Sequence, residues 1–149
     1  GWSVRCGTAG LGRKAWNFDK VIHSYSQAKF RDDIVFTGFV PDAELVLLHG
    51  ASSGLCYVPY FEGFGIPLVE AMACEVPILT SNVSAMPGVV GDAGLLVDPL
   101  DVESIAQGLV RLAKEPILAS QLVDNGRRRK LLYTWEAAAE GVWKVLSSR

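Results

Sequence analysis

The chain has 149 residues, half of them hydrophobic, and a formal net charge of -2. That apolar share excludes an intrinsically disordered chain, and the slight acidity gives no basic footprint for nucleic acid. The length suits one domain that buries roughly 68–70% of its unfolded surface.

In chain order, a strand is expected at residues 2–6. It is followed by the glycine-rich stretch Gly7-Thr8-Ala9-Gly10-Leu11-Gly12. Its spacing is G-x-x-G-x-G, whereas dinucleotide folds use G-x-G-x-x-G, so a flexible turn is expected there. A helical pattern covers residues 17–30, and Asp32-Asp33 turns the chain into a strand at 34–36. A helix at 42–50 leads to an apolar strand at 54–58, read as a buried parallel strand, and then to a helix at 67–74. Strands at 77–81 and 94–97 complete the alternation, with Met72, Cys74, Leu95, Leu96 and Val97 as core residues. Intervals of this kind resemble βαβ crossovers and predict a Rossmann-like parallel sheet with helices on both faces.

After Asp98-Pro99 the pattern is helical only, a C-terminal tail. Asp101 can cap a helix over 102–113 with Ile105, Leu109 and Leu112 on one face, and Pro116 opens the next helix. Thr134 can cap a last helix whose apolar side is Trp135, Val142 and Trp143. Arg127-Arg128-Arg129-Lys130 would be spread around about one helical turn, as a solvated helix end is. The three cysteines, at 6, 56 and 74, are expected as small buried hydrophobes, consistent with a reducing cytoplasm. With no signal peptide, no long apolar run and no Cys/His cluster, neither a membrane span nor a metal site is expected.

The most informative stretch is Glu62-Gly63-Phe64-Gly65-Ile66-Pro67-Leu68-Val69-Glu70, at the passage from a strand's carboxyl end into a helix. Ligands collect at such strand ends, and the free N–H groups opening a helix favour anions such as phosphate. Glu70 could instead complement the helix dipole, and Glu62 could be a solvated loop residue. Phe64, between two glycines, could stand against a ligand or plug the loop onto the core.

This stretch resembles the signature of retaining glycosyltransferases with the two-domain GT-B fold, the large family of bacterial mannosyl- and glucosyltransferases related to glycogen synthases. Val35-Phe36-Thr37-Gly38-Phe39-Val40-Pro41 resembles that family's base-binding strand and turn. Ser81-Asn82-Val83-Ser84 and Gly91-Asp92-Ala93-Gly94-Leu95-Leu96-Val97-Asp98-Pro99 resemble its later loops, in family order. The resemblance implies that residues 1–149 are the donor-binding C-terminal domain, one half of a GT-B fold whose N-terminal acceptor domain lies outside this chain. It makes Glu62 the catalytic carboxylate beside the donor sugar. Gly63, Phe64 and Gly65 become the segment meeting sugar hydroxyls, and Ile66 and Leu68 offer amides to the diphosphate. Glu70 would grip the ribose, and Phe39 and Val40 would meet the base. The implied substrate is a nucleoside-diphosphate sugar, with no cofactor and no metal. The implied partners are that sugar, the missing domain and an acceptor, and any membrane association would come through the missing domain alone.

The chain also departs from the pattern. Glu75 stands where the family has glycine after the motif helix, so a left-handed backbone there would be strained. Gly88 stands where a glutamate is frequent, and no basic pair for the diphosphate precedes the first strand. Two rivals follow. A retaining glycoside hydrolase would need its two carboxyl groups about 5–5.5 Å apart. A nucleotide-sugar-binding scaffold on the same fold would need no catalysis.

Overall fold

The computed structural model describes residues 8–11 and 18–148, so the expected strand at 2–6 lies outside the described residues. The chain divides into two compact units, Gly1–Leu45 and Val46–Arg149.

In the first unit, β1 (Thr8–Leu11) pairs in parallel with β2 (Ile34–Gly38), from Thr8 opposite Ile34 to Leu11 opposite Gly38. The glycine-rich stretch is thus a strand over these four residues and not the expected turn. Its backbone groups are paired along β2, and that ladder outweighs the low strand preference of glycine. The pairing slips between Gly10 and Leu11, the irregularity a glycine in a strand commonly marks. Between the strands, α1 (Phe18–Gln27) sets Tyr25 edge-on against Phe36, ring centres 5.2 Å apart. Gly38, at φ +70, closes β2, and α2 (Asp42–Ala51) follows Pro41.

In the second unit β3 (Leu55–Tyr57), β4 (Ile78–Ser81) and β5 (Gly94–Val97) form a parallel sheet in the order β3-β4-β5. α3 (Ile66–Ala73), α4 (Met86–Val90), α5 (Val102–Lys114), α6 (Pro116–Arg129) and α7 (Trp135–Ser147) complete it. The α/β architecture with parallel pairing is as expected, in two separately hydrogen-bonded sheets. β4 is central and buried along its whole length, so its pleat sends alternate side chains to opposite faces. Ile78 joins Leu68, Ala71 and Met72 of α3 and Met86, Val89 and Val90 of α4 in the core cluster. Leu79 turns the other way, to α5, where a Cβ on Gly108 would come within 2.5 Å of its Cδ1. Helices therefore cover both faces of this sheet, and each fully buried Leu or Met contributes about 1.5–3 kcal/mol.

The structure corrects several expectations. β3 lies at the edge of the three-stranded sheet, where Leu55 and Tyr57 are half-buried and Cys56 is exposed, so the buried-cysteine reading fails there. Leu96, on the other edge strand, is 38% exposed. α5 meets the sheet through Gly108, which rotates Leu109 out to 44% exposure. The sequence gives no sign of α4, because Pro87 and Gly88 are poor helix formers; burial of Met86, Val89 and Val90 forms it. Trp135, Val142 and Trp143 of α7 are all exposed. The caps behave as read: Asp101 accepts from the Glu103 amide at 2.9 Å and Thr134 from the Ala137 amide at 3.1 Å.

The basic cluster is a clamp. The Arg129 Nε donates to the Val89 carbonyl at 2.6 Å, and its Nη2 donates to the Gly88 carbonyl, tying α6 to the end of α4. Arg127 reaches Asp124 at 2.7 Å and Glu75 at 2.6 Å, with Lys130 4.0 Å from the same Glu75 carboxylate. Glu75 does adopt the left-handed backbone, at φ +60. The Val76 amide donates to the Ala71 carbonyl at 3.0 Å and the Glu75 amide to the Met72 carbonyl at 3.3 Å, the paired bonds of a Schellman ending that normally takes glycine.

The hydrogen bond from Arg127 holds the Glu75 carboxyl below its ordinary value of 4.5. The stability it contributes is present above that ordinary value and is lost as the pH falls through the lower, folded-state one. Glu75→Gln is therefore expected to lower Tm at neutral pH, with the gap closing in acid. Thermal melts across that range check it, and a gap of equal size in acid would refute the ion pair.

Candidate functional site

The site is built on the passage from β3 through residues 58–65 into α3. Gly65 is the hinge of that passage. It is buried, its φ is +95, and a Cβ there would lie 2.7 Å from the Met86 Cε and 3.3 Å from the Leu68 Cδ1. Both the left-handed backbone and the roof formed by Met86 demand glycine. α3 begins one residue earlier than read, at Ile66, with Pro67 second. No side chain caps this helix start. The amides that open a helix have no carbonyl of their own helix to pair with. Leu68 is already committed, however. Its amide donates to the Gly65 carbonyl at 3.0 Å and its side chain is fully buried.

Glu62 is held at both ends. The Tyr57 hydroxyl donates to its Oε2 at 2.7 Å. Its backbone amide donates to the Ser84 Oγ at 3.2 Å, and that hydroxyl in turn donates to the Glu62 carbonyl at 2.7 Å. Ser84 sits at φ +58, a backbone that a serine rarely adopts, and the two bonds across to Glu62 offset that strain. Burial, and then the hydrogen bond to Glu62 and its charge, push the Tyr57 phenol up to about 12, so it stays protonated and remains a donor. The Glu62 Oε1 has no hydrogen-bond partner among the described residues.

Phe64 packs edge-on against Tyr133, ring centres 5.6 Å apart, and Tyr133 is itself tied by its hydroxyl to the Val89 carbonyl at 2.9 Å. The ring thus plugs the loop onto the protein, while 45% of Phe64 stays exposed. Around Gly63 there is open space, with nothing within 4 Å of where a Cβ would stand. Glu70 is half-buried one turn into α3, and its carboxylate has no partner among the described residues. Phe39 and Val40 belong to the first unit, directly after β2, with Phe39 67% exposed and Val40 half-buried. Among the described residues no group of three or more His, Cys, Asp and Glu is placed to hold a metal ion.

Sequence reasoning missed Tyr57 as a partner of Glu62, and it placed Ser84 only in a later loop. Tyr57 reads as one more apolar strand residue, and Ser84 lies 22 positions from Glu62, so neither carries a local signal.

A family model described as glycosyl transferases group 1 matches residues 6–129. The chain is 34% identical over 125 residues to O-antigen chain mannosyltransferase B of Escherichia coli, covering 84% of this chain and 33% of that protein. It is 40% identical over 112 residues to MMP alpha-(1->4)-mannosyltransferase of Mycolicibacterium hassiacum, covering 72% of this chain and 27% of that protein. The chain therefore spans a third or less of the length of these two curated relatives. Among solved structures, it superposes on Anabaena HepE in complex with UDP-glucose with a TM-score of 0.83 at 18% identity, covering 96% of this chain and 41% of that one. It also matches the C-terminal domain of a glycosyl transferase group 1 protein from Francisella tularensis, with a TM-score of 0.62 and 28% identity over 74% of this chain and 59% of that one.

Gly65→Ala is expected to cost about 2–5 kcal/mol, the sum of a left-handed alanine and an overpacked Met86. Denaturant unfolding measures it, and a neutral substitution would contradict the hinge.

Proposed function

We propose that the chain, which belongs to the glycosyl transferases group 1 family, is the donor-binding C-terminal half of a retaining glycosyltransferase that moves a hexose from a nucleoside-diphosphate sugar to an acceptor hydroxyl. The observation that carries this reading is the fixed Glu62 carboxylate, one oxygen held by Tyr57 and the other without a partner among the described residues, on a loop that ends at an uncapped helix start. The mannosyltransferase names of the two relatives and the UDP-glucose in the HepE crystal support a nucleotide sugar as the ligand.

In this reading Glu62 is the catalytic carboxylate, accepting hydrogen bonds from the donor sugar. Gly63, Phe64 and Gly65 form the wall beside the sugar, and the amide of Ile66 at the start of α3 faces the diphosphate, where the helix dipole favours negative charge. Glu70 takes the ribose diol, since a carboxylate can accept from two neighbouring hydroxyls. Phe39 and Val40 receive the base. As the glycosidic bond breaks, charge gathers on the leaving diphosphate, and fixed donors facing it lower the barrier because they need no reorganisation. On α6, Arg127 is paired with Glu75 and Asp124, Arg128 with Asn125, and Arg129 with the end of α4, and in this reading the cations for that step come from elsewhere in the polypeptide. The acceptor domain and the choice of acceptor lie there too, and the isolated chain is inactive alone. No described helix is long and apolar enough to cross a membrane; we assign the enzyme to the cytoplasm, with any membrane association outside this chain.

Calorimetric titration of the full-length protein with GDP-mannose, UDP-glucose and ADP-glucose is expected to show heat with one of them. Glu70→Ala should weaken that donor by about 10- to 100-fold, the loss of charged hydrogen bonds. Glu62→Ala should cut product formation by about 100- to 1,000-fold. Unchanged product from Glu62→Ala would replace the enzyme with a nucleotide-sugar-binding scaffold.

A further inference from the structure

Glu62 is more constrained than its place in a loop requires. A loop carboxylate ordinarily samples several rotamers, and ordering such a side chain costs free energy on every binding event. Here the backbone of Glu62 is gripped by Ser84, which fixes where the side chain starts, and the Tyr57 hydroxyl takes Oε2 at 2.7 Å, which fixes where it ends. Tyr57 is itself anchored, since it belongs to β3 and packs against the core cluster below the loop. Packing accounts for the ring but not for the hydroxyl, which phenylalanine would lack without changing the shape. The one feature the hydroxyl adds is the choice of carboxylate orientation.

Resting on the reading of Glu62 given above, we propose that Tyr57 is a positioning residue for this reaction: by donating to Oε2 it locks the Glu62 carboxylate in one rotamer and presents Oε1 to the hydroxyls of the donor sugar. The bond also occupies Oε2, so the two oxygens become unequal and Oε1 is the one left to accept from the sugar. Preorganisation of this kind acts on the rate. Without it the sugar still binds through its nucleotide, but it meets a carboxylate that must be ordered at the moment of reaction, and a misplacement of about 1 Å can cost on the order of 100-fold.

The test is Tyr57→Phe in the full-length protein, alone and in a Glu62→Ala background, with GDP-mannose and UDP-glucose as donors. Release of GDP or UDP, affinity for the free nucleotide, and Tm are read together. The rate constant for release is expected to fall about 10-fold or more, while nucleotide affinity and Tm stay at their original values. In the Glu62→Ala background, adding Tyr57→Phe is expected to lower the residual rate no further, because the two residues act as one unit. An undiminished rate in Tyr57→Phe, with Glu62→Ala still defective, overturns the positioning role and leaves the reading of the site standing. An equal further loss in the Glu62→Ala background, or a fall in Tm and nucleotide affinity that accounts for the slower rate, makes Tyr57 merely structural and overturns it as well. Should the unsubstituted protein release nucleotide from neither donor, or Glu62→Ala release it at full rate, the reading of the site falls and the positioning role falls with it.

Discussion

The left-handed backbone at Gly65, beneath Met86, is the constraint on which the second unit's geometry turns. It closes the passage over residues 58–65 from β3 into α3, and as the N-cap residue it leaves the helix start without a side-chain cap. A residue with a Cβ at this point would push Met86 out of the cluster it shares with Leu68, Met72 and Ile78. The same glycine therefore serves the core and the site. Uncapped amides are costly where they are buried and useful where an anion can reach them, and here they stand at the carboxyl end of a parallel sheet.

Both ends of α3 are tied to one neighbouring stretch. At its carboxyl end Glu75 is paired with Arg127 of α6. Near its start Phe64 rests on Tyr133, shortly after α6, and Tyr133 and Arg129 together hold the Val89 carbonyl at the end of α4. The side chain of Met72, in between, faces Gly126. α6 thus fixes α3 and α4 relative to each other, and through them the roof over Gly65. The left-handed Glu75 is part of this arrangement: the backbone a glycine would adopt freely is held instead by the Schellman bonds and the ion pairs. Gly88, with open space where a side chain would stand, contributes only its carbonyl, which Arg129 takes.

Much of the fold was legible because it rests on local rules. Asp101 and Thr134 are caps whose oxygen meets an amide two or three residues on, and Pro116 starts a helix for want of an N–H. Short apolar runs alternating with helical periods were enough to expect parallel strands and covering helices. Failures came where pairing or packing overrode those rules. Thr8–Leu11 is a strand because β2 lies beside it, and α4 is helical because its apolar residues are buried in spite of Pro87 and Gly88. Cys56 and Leu96 are apolar yet exposed, because both lie on edge strands.

The sequence by itself determined the alternation of strands and helices outside β1 and α4, the caps, the glycine at the strand-to-helix turn and the pair of carboxylates that bracket it, since each depends on neighbours a few positions away. Only the tertiary structure decided what those carboxylates meet. Tyr57 and Ser84 converge on Glu62 because β3 and the loop after β4 lie side by side in a parallel sheet, and parallel neighbours are necessarily distant in sequence. It likewise turned a run of basic residues from a solvated helix end into the clamp on α3 and α4, because a guanidinium finds its carbonyl only once the helices are packed.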